Sequence, residues 1–128
     1  MSKAHILVTG SSGYLGSNLL QKLFKNKDYE LTALDIRNDS NLPKSVRFLK
    51  VDIGDSDLLN KAFNGVDLIC HCASLGGTNY GIDVCTEEQI KITNIKGTQN
   101  LYEQAKNNGV NKIVLTSSIE VLTLKMHE

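Results

Sequence analysis

The sequence predicts an α/β fold in which a parallel β-sheet is wrapped by helices on both faces. Two patterns and one turn predict it. Short β-branched runs alternate with longer stretches at helical spacing, and that alternation requires right-handed crossovers between parallel strands. The first run, His5–Thr9, is short, mostly apolar and bounded by Gly10, as a buried strand would be. Gly10-Ser11-Ser12-Gly13-Tyr14-Leu15-Gly16 then leads into the first helical stretch. A chain of 128 residues is long enough for one core and too short for two.

The remaining elements follow in order. Tyr14–Lys25 carries Leu15, Leu19, Leu20, Leu23 and Phe24 at helical spacing, and Tyr29–Asp35 reads as the second strand. Asp39–Lys44 holds the only Pro and several turn formers, so a loop is expected. Val46–Val51 is the third strand. Asp55 caps a helix through Phe63, with Leu58, Leu59, Ala62 and Phe63 on one side and Asn64-Gly65 as its stop. Leu68–Cys72 is the fourth strand, after which Gly76, Gly77 and Gly81 mark a long loop. Thr86-Glu87-Glu88-Gln89 fits a capping box and opens a helix running to about Asn107, ended by Gly109. Ile90, Asn94, Gly97, Thr98, Leu101 and Ala105 share its inner face. Ile92, Ile95, Gln99, Tyr102 and Lys106 share another. Lys112–Ser117 is the fifth strand.

Composition narrows the function classes. Hydrophobic residues make up 41% and charged residues 22%, an ordinary globular mix. Fourteen Lys and Arg balance 14 Asp and Glu, which argues against nucleic acid as a partner. Apolar runs such as Ile6–Val8 and Ile113–Leu115 are far too short for a membrane span or a signal peptide. Three Cys without a secretory signal point to reduced thiols and a cytoplasmic location. His71 alternates with Cys70 and Cys72 along a strand, so the thiols take one face and the imidazole the other. Neighbouring strand residues converge poorly on one tetrahedral ion, so no metal site is expected.

The glycine turn carries the chemistry. Gly10 permits the tight strand-to-helix turn, Gly13 lets a pyrophosphate approach the backbone, and Gly16 lets the helix pack close to the sheet. Free N–H groups and the helix dipole favour an anion there. Asp35 ends the second strand ~20 residues on, where an acid accepts hydrogen bonds from ribose hydroxyls and repels a 2′-phosphate. NAD is therefore expected as the cofactor, with NADP less favoured. Arg37 stands two residues further on and could serve a phosphate instead.

With its glycines at this spacing, the chain resembles the short-chain dehydrogenase/reductase superfamily. Within it, the extended branch of NAD-dependent epimerases and dehydratases is the nearer likeness. Val51-Asp52-Ile53 is similar to the family's acid-plus-aliphatic pair beside the adenine. Ile69-Cys70-His71-Cys72-Ala73-Ser74 is similar to its fourth-strand motif along the cofactor, and Thr93-Asn94-Ile95-Lys96-Gly97-Thr98 to its Asn-x-x-Gly-Thr helix signature. Leu115-Thr116-Ser117-Ser118-Ile119-Glu120-Val121 and Asn94–Gln99 resemble most the 3β-hydroxysteroid dehydrogenase/isomerase family. The resemblance implies a Rossmann-type, doubly wound sheet in the order 3-2-1-4-5. It implies cofactor contacts from Gly10, Ser12, Gly13, Tyr14, Leu15, Gly16, Asp35, Arg37, Asp52, Ile53, Cys72, Ala73, Ser74, Asn94, Thr116 and Ser117. Homodimers are a family possibility.

The family moves a hydride between nicotinamide and a secondary alcohol or carbonyl. A Tyr acts as acid or base, a Lys one helical turn on lowers its pKa, and a Ser orients the substrate oxygen. Ser118 matches that catalytic Ser. No Tyr-x-x-x-Lys follows it within residues 119–128. Tyr102 and Lys106 have the right spacing but precede Ser118, and read as an ordinary helix pair. Residues 1–128 are thus expected to be an incomplete NAD(P)-binding domain, cut before the sixth strand and lacking a substrate domain. Its fifth strand would be an exposed apolar edge. The expected substrate of a longer form is a steroid or other small secondary alcohol. The alternatives are a nucleotide-sugar epimerase or dehydratase relative and a non-catalytic dinucleotide-binding module.

Overall fold

The computed structural model describes residues 2–37, 41–76 and 85–118. Part of the Asp39–Lys44 loop, Gly77, Gly81, the Ile119–Val121 end of the fifth-strand motif and the tail to Glu128 lie outside these residues. Five parallel strands form one sheet in the order β3-β2-β1-β4-β5, as the resemblance implies. They are β1 Ala4–Thr9, β2 Tyr29–Asp35, β3 Arg47–Lys50, β4 Leu68–His71 and β5 Ile113–Leu115. Central β1 pairs with β2 along its whole length and with β4 from Ile6 to Thr9. Edge strands β3 and β5 each have a single pairing partner and are shorter than the expected Val46–Val51 and Lys112–Ser117. Lys112, Thr116 and Ser117 accordingly fall outside β5, and Cys72 lies just past β4.

The side-chain alternation of the strands divides the core into two layers. Ile6, Val8, Leu31, Ala33 and Cys70 pack with Leu20 of α1 (Tyr14–Phe24) on one face. Leu7, Leu34 and Ile69 pack on the other face with Leu59, Ala62, Phe63, Leu101 and Ala105. Each fully buried large side chain contributes ~1.5–3 kcal/mol, and these are shared between the central strands (Leu7, Val8, Leu34, Ile69) and the helices (Leu59, Phe63, Leu101). The second helix, α2, spans only Ser56–Asn60 and tightens into a 3-10 turn over Lys61–Phe63. Asp55 caps it by accepting from the Leu58 N–H at 3.0 Å. Leu58 itself faces outward, so the apolar side of this helix is Leu59, Ala62 and Phe63.

The long third helix departs from the expected uniform α-helix. It begins with the capping box as α3 (Glu87–Lys91), widens to a π-helix over Ile92–Gly97, and resumes as α4 (Thr98–Asn107). The wider turn changes which residues share a face, and it separates Ile92 from Tyr102 and Lys106. Gly97 sits hard against β3's exit: a Cβ there would lie 2.6 Å from Ile53 Cγ1. Buried Asn100, three residues later, donates from Nδ2 to the Ile53 carbonyl at 2.9 Å. No helix among the described residues is long and apolar enough to cross a membrane.

Substituting Gly97→Ala is expected to lower the unfolding free energy by ~1–3 kcal/mol, the usual cost of forcing a methyl into a packed site. Urea denaturation measures it, and an unchanged midpoint would show that the branched Ile53 side chain yields freely.

Candidate functional site

The strand order reverses between β1 and β4, and open α/β sheets carry their clefts at that position, beyond the carboxyl ends of the strands. A cleft of about 590 Å³ lies there. Gly10 and Gly13 contribute from β1's exit and Asp35 and Arg37 from β2's. Asp52 and Ile53 contribute from β3's exit, and Cys72, Ala73 and Ser74 from β4's. Four separate stretches named from the sequence therefore meet at one place.

Gly10 shapes the floor. Its φ of +67° is a left-handed conformation, and an added Cβ would lie 2.6 Å from the Ala73 nitrogen. Gly16 is buried in the first turn of α1, where a Cβ would run into the Gly10 carbonyl. Gly13 is different. An added Cβ there meets only the Gly10 carbonyl oxygen, at 3.3 Å, so its free side opens on the cleft. Gly13 is also the N-cap of α1, with no side-chain cap and no acidic residue in the first turn. The first-turn N–H groups are left for an outside acceptor, and the helix dipole adds a preference for an anion.

Asp35 is nearly buried, 7% exposed, and is held by two backbone donors. Ser12 N–H donates to Oδ2 at 2.9 Å, and Arg37 N–H donates to Oδ1 at 3.0 Å. A carboxylate offers about four acceptor sites, so capacity remains for hydroxyl donors. Arg37 Nε stands 3.7 Å from Oδ1, on a side chain that is 67% exposed, where such a pair adds little stability.

The other sequence-predicted residues lie around the cleft without lining it. Ser12 acts through its backbone, while its hydroxyl donates to the Arg37 carbonyl at 3.4 Å. The Tyr14 and Leu15 side chains point to solvent, Tyr14 at 90% exposure. Asn94 grips the backbone of Leu75 from both ends, accepting from its N–H at 2.8 Å and donating to its carbonyl at 2.7 Å. It thereby fixes the stretch after Ser74. Thr116 donates to Cys72 Sγ at 3.7 Å and so touches a cleft residue, while Ser117 and Ser118 follow it, both exposed and outside the cleft lining. Tyr102 and Lys106 line a separate depression with Gly109, Val110 and Ile113.

Sequence reasoning missed the opposite wall, formed by Leu75, Gln89, Ile92 and Thr93, and the apolar sides Leu34 and Ile36. A uniform helical period groups Ile92 with Tyr102 and Lys106, and the π-helix is what parts them. The spacing of Gln89, Ile92 and Thr93, three and four residues apart, is the signal that could have found that face.

Behind the cleft a buried polar chain ties three elements together. Ala73 N–H donates to Thr9 Oγ1 at 3.3 Å. Thr9 Oγ1 lies 2.6 Å from His71 Nδ1, and His71 Nε2 lies 3.0 Å from Thr98 Oγ1. Each Thr hydroxyl can both donate and accept, so the two ring nitrogens are paired in either neutral tautomer. Burial lowers the His71 pKa, keeping the ring neutral. Burial first, and then Cys72, raise that of Cys70, which stays a thiol. Among the described residues no three His, Cys, Asp or Glu side chains group as a metal site requires.

The architecture and the cleft define a class first, the Rossmann-type α/β proteins with a glycine turn at the sheet's switch point. Residues 7–128 match the 3-beta hydroxysteroid dehydrogenase/isomerase family, and the chain belongs to it. A 3 beta-hydroxysteroid dehydrogenase/Delta 5→4-isomerase of Monkeypox virus is 30% identical over 128 aligned residues, covering 94% of this chain and 35% of the relative. Uronate dehydrogenase from Agrobacterium tumefaciens superposes with a TM-score of 0.77 at 28% identity, over 92% of this chain and 42% of that one. The Thermus thermophilus UDP-glucose 4-epimerase complex with NAD gives 0.76 at 28% identity, over 89% and 37%. An uncharacterized Mycobacterium tuberculosis protein is 33% identical over 113 residues, which are 12% of its length. The chain thus spans well under half the length of these relatives.

The His71 chain has a pH consequence. With the folded pKa below the unfolded value of about 6.5, the unfolded state binds more protons through the interval between them. The contribution of this group is therefore complete above about pH 6.5 and declines as pH falls toward the lower folded value. Urea midpoints measured from pH 7.5 to 5 should fall for the wild type and fall less steeply for His71→Asn. Equal slopes would remove His71 as the source.

Proposed function

We propose that this chain is the dinucleotide-holding part of an NAD-dependent oxidoreductase of the short-chain dehydrogenase/reductase type. The observation that carries the reading is the opening at Gly13. An uncapped helix N-terminus meets a turn whose one free face is directed into the cleft, so a pyrophosphate fits where any larger side chain would stand. The cleft volume of about 590 Å³ falls within the ~300–1,000 Å³ of small-molecule sites.

In this reading the α1 N-terminus holds the pyrophosphate and Asp35 accepts from the adenosine ribose hydroxyls. Asp52 and Ile53 border the adenine, and Cys72, Ala73 and Ser74 run along the nicotinamide half. When bound, the nicotinamide supplies or accepts a hydride at a carbon bearing the alcohol or carbonyl oxygen. Ser118, three residues beyond β5, is given the orienting of that oxygen, with Thr116 and Ser117 leading along the cofactor. Tyr102 is not assigned the proton, since it lines another depression. Asp35 favours NAD, because a 2′-phosphate would face a carboxylate already fixed by two N–H donors. The family and the viral relative's name favour a 3β-hydroxysteroid as the substrate class. The two sugar-acting structural neighbours support a sugar substrate on the same cofactor half as the second reading.

Gly13→Val should abolish NADH binding in a fluorescence titration while leaving the melting temperature of the free protein nearly unchanged. Its added methyls enter open cleft rather than packed core. Retained affinity would defeat the pyrophosphate assignment.

Asp35→Asn keeps an acceptor for the Ser12 N–H, removes the charge and replaces the oxygen that accepts the Arg37 N–H by an amino group. It should narrow the NADH-over-NADPH affinity ratio by roughly tenfold, the scale of one close charge pair in partly screened surroundings. A wild type that prefers NADPH would overturn the role given to Asp35.

A further inference from the structure

A second cavity, of about 320 Å³, lies at the amino ends of the strands, at the other end of the sheet from the cleft. Phe24, Tyr29, Leu31 and Val46 give it an apolar lining. It contains an open rung of the sheet. The Ala4 N–H donates to the Asp28 carbonyl and the Val51 N–H to the Asp35 carbonyl. Even-numbered backbone groups along β2 therefore face β1, and odd-numbered ones face β3. Pairing with β3 begins only at Thr32 and Arg47. Just before that pair the chain turns away, with the Val46 N–H donating to the Pro43 carbonyl at 2.9 Å. The Leu31 N–H and the Tyr29 carbonyl thus face the β3 side, and neither has a partner among the described residues. Leu31 is only 4% exposed, and a buried N–H without an acceptor is uncommon in a folded chain. Lys3 and Lys27 also line the cavity. Lys27 Nζ is held 4.6 Å from the centroid of the Phe24 ring, and no carboxylate among the described residues pairs with it. Glu30 contributes backbone, because strand alternation turns its side chain to the opposite face, that of Leu34.

We infer that this cavity captures the carboxyl end of a peptide whose last residue is apolar. The terminal residue completes the open rung in the manner of a parallel ladder. Its N–H donates to the Tyr29 carbonyl, and its carboxylate accepts from the Leu31 N–H. A strand entering parallel to β2 runs toward Arg47, where β3 already occupies the next rung, so the peptide must end there. The inner end of the rung is a donor, which suits a carboxylate and opposes the ammonium that an antiparallel strand would bring. The Lys27 ammonium adds a charge of the matching sign. The terminal side chain lies on the α1 side, among Phe24, Leu31 and Val46. The volume is at the lower end of the ~300–1,000 Å³ usual for small-molecule sites, which fits a chain end rather than a long segment.

The test is an amide-resolved NMR titration of the chain with acetyl-Gly-Leu, with its C-terminal amide and with its N-methylated leucine analogue. Acetyl-Gly-Leu should move the Leu31 amide downfield and slow its hydrogen exchange, while the Gly10 and Gly13 amides stay in place. The amide form should bind about tenfold more weakly, the scale of one charge pair in partly screened surroundings. The N-methylated form should bind severalfold more weakly, having lost the donor to Tyr29. Lys27 is exposed, so Lys27→Gln should melt like the wild type while losing most of the preference for acid over amide. A Leu31 amide that does not respond to millimolar acetyl-Gly-Leu overturns the inference. So does equal binding of acid and amide, or a preference unchanged in Lys27→Gln. Each of these outcomes leaves the dinucleotide reading untouched, since that site lies at the carboxyl ends of the strands.

Discussion

The contact between Gly10 and Ala73 is the constraint on which the rest of the site depends. At the end of β1 the chain must turn into α1 while β4 lies immediately beside it. There is no space for a Cβ, and the backbone must take a left-handed turn. With Gly10 in place, α1 can begin close over the sheet, and Gly16 then packs on the Gly10 carbonyl. The N-terminus of α1 is brought by these two approaches to the carboxyl end of the central strand. A bulkier side chain at either glycine would lift the helix away and close the space that an anion would fill.

The strands' ends are held in register by polar groups as well as by packing. Thr9, His71 and Thr98 join β1, β4 and α4 through one buried chain, and Ala73 is its outermost member. Asn94 fixes Leu75 a little further along, and Asn100 fixes Ile53 after β3. Each partner is satisfied, which is the condition under which buried polar groups rigidify a structure rather than weaken it. The loops bordering the cleft are thereby tied to a helix that contributes its own wall. The π-helix is where those duties meet. Its wider turn allows Ile92 and Thr93 to face the cleft while Gly97 and Leu101 stay against the core.

The sheet edges behave differently from its centre. Val114 and Leu115 on β5 are 58% and 45% exposed, although their residue types suit a buried strand. The second helical layer is joined more lightly at its surface. Gln104 donates to Ser56 at 3.0 Å and Asn108 to Asn60 at 2.9 Å, linking α4 to α2 above the shared apolar core. The most enclosed part of the sheet is thus β1 with its neighbours, and the cleft is built at its carboxyl end.

Much of this was legible in the residue order, because the signals are local. Strand and helix periods, the Asp55 cap, the Thr86–Gln89 box and the spacing of Gly10, Gly13 and Gly16 each depend on neighbours within a few positions. From those alone the α/β alternation, the glycine turn and the acid at the end of β2 followed. Tertiary structure decided what depends on distant partners. It turned Leu58 outward, shortened β3 and β5 where pairing exists on one side only, and widened the third helix into a π turn. It gave Asn94 to Leu75 and Asn100 to Ile53, and it brought Gln89 and Ile92 to the cleft. Periodicity assumes one helical pitch and one chain at a time. These outcomes come from packing between elements far apart in sequence, where a glycine's closeness or an amide's partner exists only once the sheet has formed.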